Sequence, residues 1–346
     1  MHNYKQRILV FLLTWFLIFS ACADKNATTK PITTEDGVKK MKWNGWNDAY
    51  QITNATTQVI VVPAIGRIMF YGFKDGVNIL WNDPQTFGRT LPQDLTSVRS
   101  WTNFGGDKVW PTGQNDFPKI NGMAWPPDPY FDGAPHTIKV LADGVEITSP
   151  VSEFCGAQSV REIRLAEEGS RLTIRQIIKK IKQAKILSVE PIRYTIWNVT
   201  QVNSPDQTLF NLNANSKFPN GYIMMSQNGA SNFSVEGQTG IFIPSASSDQ
   251  KAGADSDKWL AAIIDDVVIG EFFTYTPGET FPDGGCSAEV YTCPSYTELE
   301  LLSATKLLRI GESIEFTIAW ELDKLPATAI TAAEKRAAAV AWLNSK

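Results

Sequence analysis

The run Tyr296-Thr-Glu-Leu-Glu-Leu-Leu302 places two acids where they could act together. With a strand period of two, Tyr296, Glu298 and Glu300 share one face, while Thr297, Leu299 and Leu301 line the other. The carboxylates then stand roughly 7 Å apart on one surface. Such a pair can hold different protonation states, the arrangement that acid/base catalysis uses. The solvated outer face of an ordinary strand has the same pattern.

A second group of residues is Asn103-Phe-Gly-Gly-Asp-Lys-Val-Trp-Pro111, followed by Trp125-Pro-Pro-Asp128. Asn103, Asp107, Lys108 and Asp128 are hydrogen-bonding groups suited to sugar hydroxyls. Trp110 and Trp125 offer flat faces against which the C–H face of a pyranose can pack. The alternative is that the tryptophans plug the end of a sandwich and Asp107 pairs with Lys108. Arg161 alternates in phase with Ile163 and Leu165, so it points to an apolar side and needs a carboxylate or a ligand acid. Lys108 and Arg161 are therefore expected to hold an acidic substituent, with a structural salt bridge as the other reading of Arg161. His136 ends the same segment and is, with Asp128, a candidate acid.

These residues need a scaffold, and the scaffold reads as β. Strands are predicted at 57–62, 67–73, 137–141, 145–149, 160–165, 171–178, 192–199, 259–264, 270–275, 289–292, 297–302 and 313–320, separated by turn pairs such as Asp143-Gly144. A dozen strands at this spacing give an all-β, antiparallel two-sheet sandwich. The capping box Thr331-Ala-Ala-Glu334 opens one short C-terminal helix that runs to about Leu343. Residues 82–136 break the strand rhythm, and a connection so long is usually functional or disordered. Its tryptophans argue for function.

Composition bounds the rest. The chain has 346 residues, 43% of them hydrophobic and 20% charged, as in ordinary globular proteins. Lys5 and Arg7 precede an apolar run from Ile8 to Phe19, which rises about 18 Å as a helix, too short for a bilayer and right for a signal peptide over residues 1–21. The run closes in Phe19-Ser20-Ala21-Cys22, which resembles the lipobox of bacterial lipoproteins and implies lipidation of Cys22. Ordinary secretion is the alternative. Residues 22–40 are polar, a tether about 25 Å long, and 41–346 form one domain. Without its leader the chain keeps 30 Lys and Arg against 36 Asp and Glu, with no basic cluster, so no nucleic-acid partner is expected. Of two histidines only His136 remains, and no metal site or cofactor is expected. Export implies oxidising conditions; a Cys286–Cys293 disulfide across the Gly284-Gly285 turn is expected to contribute about 2 kcal/mol, with Cys155 a buried free thiol.

Taken in order, several motifs resemble an uncharacterised bacterial lipoprotein family with a galactose mutarotase-like (aldose 1-epimerase-like) fold. They are Gly66-Arg67-Ile68, Asn78-Ile-Leu-Trp81, Gly105-Gly-Asp-Lys-Val-Trp-Pro111, Trp125-Pro-Pro-Asp128, Arg161-Glu-Ile-Arg164, Glu298-Leu-Glu300 and Leu308-Arg-Ile-Gly-Glu312. The likeness spans about 44–322 and implies a twisted antiparallel supersandwich with a sugar-sized concave face. Aldose epimerases use histidines with a C-terminal glutamate; here Trp125 and Asp128 stand where such a histidine is expected, and Glu298 or Glu300 matches the glutamate. The expectation is a monomeric, lipid-anchored carbohydrate-binding or carbohydrate-processing protein of the bacterial cell envelope, in the outer membrane or a periplasm-facing membrane. If an enzyme, it is an epimerase or lyase moving protons on a sugar. The alternative is a non-catalytic sugar-recognition or structural lipoprotein.

Overall fold

A computed structural model describes residues 37–185, 192–226, 232–245 and 247–346. The expected signal peptide, Cys22 and the tether up to residue 36 lie outside the described residues. Two ten-stranded sheets carry the fold, and every pairing among the described strands is antiparallel. The first sheet runs from Gly37–Trp43 through Trp46–Thr53, Thr57–Val62, Arg67–Phe73, Asp107–Trp110, Trp197–Val202, Thr297–Leu302, Ala288–Thr292 and Gln250–Ala254 to Ile223–Met224. The second runs from Phe233–Glu236 through Thr239–Phe242, Gln207–Asn211, Trp259–Ile264, Val267–Phe273, Ser313–Lys324, Leu172–Lys180, Ala157–Leu165 and Gly144–Thr148 to Thr137–Val140. The expected two-sheet, all-β architecture is what forms.

The core lies between the inner faces. Val109, Val202, Val290, Leu299 and Leu301 of the first sheet join Ile163, Ile174, Ile269, Ile318 and Trp320 of the second in one buried cluster. Strand alternation makes this possible, because only every second residue need be apolar on the inner side. The C-terminal helix, Ala332–Leu343, starts at the expected box: Thr331 Oγ1 accepts from the Glu334 amide at 3.2 Å, and the Glu334 carboxylate accepts from the Thr331 amide at 2.8 Å. It lays Ala339 and Leu343 on Leu209, Ile241 and Trp259 of the second sheet.

Three expectations are corrected. Residues 37–40, assigned to the tether, are strand and pair with Thr53 to Tyr50. The segment 82–136 is not a single connection: Asp107–Trp110 enters the middle of the first sheet, between Arg67–Phe73 and Trp197–Val202. The disulfide does not form, and Cys155, Cys286 and Cys293 are all free thiols. Cys286 and Cys293 flank the extended strand Ala288–Thr292. The five-residue strand between them alone spans about 13 Å from Cα to Cα, far beyond disulfide reach.

Candidate functional site

Register decides which side chains meet. Across four adjacent strands Lys108 faces Val199, Val199 faces Glu300, and Glu300 faces Glu289. In the next row Gln201 faces Glu298, Glu298 faces Tyr291, and Tyr291 faces Lys251. Directly opposed residues project to the same side. Lys108, Lys251, Glu289, Glu298 and Glu300 therefore share the face turned away from the second sheet. Their strand neighbours Val109, Val290, Leu299 and Leu301 fill the inter-sheet core.

The long segment covers that face with aromatic rings. Trp110, Phe117 and Trp197 form a separate buried cluster with Val199 and Leu302. Trp110 meets Trp197 edge-on at 4.9 Å, and Trp101 meets Trp125 at 5.0 Å. One carboxylate fixes two of these rings: Asp132 accepts from the Trp110 indole N–H at 2.8 Å and the Trp101 indole N–H at 2.9 Å. Asp132 is held in turn by the fully buried Arg67 at 3.0 Å. Burial pulls the Arg67 guanidinium below its usual value, with Asp132 opposing.

What remains open is a cavity of about 230 Å³, lined by Trp101, Trp110, Gln114, Trp125, Trp197, Lys251, Tyr291, Tyr296, Glu298 and Glu300. That is about eight waters' worth of liquid volume, the scale of one polar six-membered ring. Two larger clefts lie elsewhere, one beside the C-terminal helix and one around Phe281 and Phe316; neither lining brings two carboxylates against tryptophan faces. Among the described residues no cluster of three His, Cys, Asp or Glu could hold a metal ion.

The two central glutamates have different surroundings. Glu298 Oε1 accepts from Lys108 Nζ at 3.1 Å and from Gln201 Nε2 at 2.9 Å. Lys108 is itself fully buried, 5.3 Å from the Trp110 ring centre and 5.7 Å from that of Trp101, and burial lowers its ammonium pKa. Glu300 Oε2 accepts from Trp197 Nε1 and Lys251 Nζ, both at 2.9 Å, while Oε1 has no hydrogen-bond partner. Lys251 also ion-pairs with Glu289 at 2.7 Å and lies 4.8 Å over the Trp197 ring. Burial would lower the Lys251 ammonium, but Glu289 and Glu300 outweigh it and hold it well above its usual value. Burial pushes the Glu300 carboxyl up to about 8, helped by Glu289 and Glu298 and opposed by Lys251. Burial thus favours a protonated Glu300 more than an ordinary glutamate, and Oε1 is its oxygen without a partner.

The structure brings together Glu298, Glu300, Trp110 and Trp125, with Lys108 directly behind Glu298. It sends the other expected residues elsewhere. Asp107 and Lys108 are strand neighbours, so they point to opposite faces and cannot pair. Asp107 instead forms a fully buried ion pair with Arg161, between the sheets, and also accepts from Asn198 and Thr200. Arg161 therefore holds no acidic substituent in this cavity. His136 is buried against Gly66, with Nδ1 2.8 Å from the Ala134 carbonyl, and burial lowers it to about 4. A Cβ at Gly66 would sit 2.2 Å from that ring, and φ there is +64°, which favours glycine. Asp128 caps the short helix Pro129–Asp132: it accepts from the Tyr130 amide at 3.0 Å and the Ser152 hydroxyl at 2.5 Å. Asn103 turns its side chain to the Gly105 amide at 3.3 Å. None of these five lines the cavity.

Sequence reasoning missed Lys251, Glu289, Tyr291, Trp197 and the positioning role of Asp132. Glu289 and Tyr291 had a signal, because they alternate with Ala288 and Val290 in a strand that was foreseen. Lys251 had none, since Gln-Lys-Ala-Gly-Ala has low strand propensity.

No protein-family model matches the sequence, and no curated protein matches it. Solved structures do match in fold. A candidate aldose 1-epimerase from Klebsiella pneumoniae aligns with a TM-score of 0.55 at 8% identity, over 88% of this chain and 85% of that one. A galactose mutarotase related enzyme from Lactobacillus acidophilus gives 0.51 at 10%, over 81% and 98%. A candidate mutarotase from Salmonella typhimurium gives 0.51 at 9%, over 83% and 94%. The fold is galactose mutarotase-like, resembling sugar-processing proteins, and at these identities the likeness concerns fold alone.

Proposed function

We propose that this protein binds a sugar ring in the aromatic-walled cavity and moves protons on it, in the manner of an aldose 1-epimerase. One observation carries the reading: two carboxylates on one strand face, two residues apart, open into a ring-sized cavity from different surroundings. Separations of about 5–9.5 Å allow two carboxyl groups to flank an anomeric centre. Glu298, anchored by Lys108 and Gln201, accepts the proton of the anomeric hydroxyl. Glu300 gives its proton to the ring oxygen. The bond between the anomeric carbon and the ring oxygen then breaks to leave an open-chain aldehyde. Closure on the other face, with both transfers reversed, returns the inverted anomer and restores both groups. A recognition protein without turnover is the second reading, favoured because both carboxylates are already tied to lysines.

Lipid attachment at Cys22 belongs to the same proposal and rests on Phe19-Ser20-Ala21-Cys22. It would hold the domain at a membrane of the bacterial cell envelope. Incorporation of a palmitate analogue, lost in Cys22→Ser, tests it. For the site, proton NMR of the leaderless protein with aldohexoses reads exchange between anomers. Acceleration is expected, and Glu298→Gln should lower it about 10²–10⁴-fold while binding persists. Binding without acceleration selects the recognition reading; neither binding nor exchange across a panel of sugars refutes both.

A further inference from the structure

The cavity has a floor and a rim. Glu300, Trp197, Trp110 and Glu298 are at most 7% exposed, whereas Trp125 is 40% exposed. Among the described large apolar side chains that stand exposed, Trp125 is the only aromatic one. It also lines the cavity. Trp101 and Trp110 meet Trp125 at interplanar angles of 79° and 87°, as edge-to-face contacts. Phe117 lies tilted by 33° at 6.2 Å and packs against one side. With 40% of its surface open at the cavity mouth, the indole presents apolar area that a ligand ring can cover. The segment carrying it is fixed in place, since Asn115 Nδ2 donates to Asp283 Oδ1 at 3.0 Å, tying this rim to the turn before Ala288–Thr292.

We propose that the site receives the end of a glycan chain, with one ring in the cavity and the next seated on the outward face of Trp125. This rests on the sugar-ring reading above and adds a second subsite to it. The cavity of about 230 Å³ is on the scale of one ring, so a longer ligand would continue over the rim. At the rim it meets Trp125 on the side of Asp107–Trp110 and Tyr291 on the side of Ala288–Thr292. Gln114, exposed and lining the cavity, supplies a hydrogen-bonding amide beside Trp125.

Calorimetry with matched series tests this: glucose, maltose and cellobiose, then galactose and its β-1,4-linked dimer. A disaccharide is expected to bind about 10-fold tighter than its monosaccharide, equal to about 1.4 kcal/mol. Trp125→Ala should erase that difference, lowering disaccharide affinity about 10-fold more than monosaccharide affinity. Trp125→Phe, which keeps a flat face, should retain most of it. Circular dichroism and urea unfolding check that both variants fold, and Trp125 is exposed enough that they should. Equal affinity for one ring and two in the native protein overturns the second subsite and leaves the one-ring reading standing. So does a Trp125→Ala loss shared equally by monosaccharide and disaccharide, since Trp125 would then be a wall of the first ring. No binding by any of these sugars overturns both.

Discussion

Replacing Glu300 by glutamine removes a titrating group from the cavity floor while keeping its shape and an acceptor for Trp197 and Lys251. In the native protein burial, with Glu289 and Glu298 alongside, raises this carboxyl to about 8 against the pull of Lys251. In the unfolded chain it returns to about 4.3. Between those values the unfolded chain has released a proton that the native protein retains. The native state binds more protons there, so stability falls as pH rises from the unfolded value and levels off above the folded one. At about 1.4 kcal/mol per unit, the interval from pH 6 to pH 9 accounts for about 3 kcal/mol of loss. Glutamine has no such term, so Glu300→Gln should gain about that much on the native protein over the same interval. Urea midpoints of both proteins at pH 6, 7.5 and 9 read the difference directly, because all other titrating groups are common to the two. Parallel curves would show that Glu300 is not held protonated, and the assignment of Glu300 as proton donor would fall with them.

Other outcomes follow from the same geometry. Asp132→Ala strands the buried Arg67 and frees two indole N–H groups, so a loss of about 3–5 kcal/mol is expected in urea unfolding, with a change in tryptophan fluorescence. The His136 imidazole is held down to about 4, so as pH falls from 6.5 the unfolded chain takes a proton that the native protein refuses. About 3 kcal/mol should be lost by pH 4, and His136→Asn should flatten that slope. The slope is read rather than the midpoint, because the smaller side chain also leaves space beside Gly66. With Cys286 and Cys293 at opposite ends of a strand, reductant should leave the unfolding temperature unchanged, and a thiol reagent should reach Cys293 before the buried Cys155 and Cys286. A reductant-induced drop would restore the disulfide.

The glutamate pair was legible because Thr297–Leu302 is a full strand with an uninterrupted period of two. Its partners were not, because they come from register between strands far apart in sequence. Lys251 and Glu300 meet only because Gln250–Ala254 lies beside Ala288–Thr292, which lies beside Thr297–Leu302. His136 and Asp128 were placed near the site because they share a segment with Trp110, but closeness along a long segment says little about closeness in space. Asp128 carried a readable signal of another kind: an aspartate directly before proline at a helix start is a cap. Asp107 and Lys108 were assigned one role together because four residues amid glycine, proline and tryptophan show no periodicity. Once those four are a strand, their separation to opposite faces is obligatory.

That short strand also constrains how the protein can change over generations. Its alternation assigns Asp107 to the interior ion pair and Lys108 to the carboxylate of the cavity. Inserting or deleting one residue between Gly106 and Trp110 would exchange the two, placing an ammonium against Arg161 and an acid against Glu298. Such a lineage would lose the interior and the cavity in one event. Length variation should therefore accumulate at residues 83–103 and 112–124, on either side, and Trp101, the one tryptophan there, can be traded for a new ligand without disturbing the frame. The cavity wall is open to inheritance of novelty, while the parity of four residues is not.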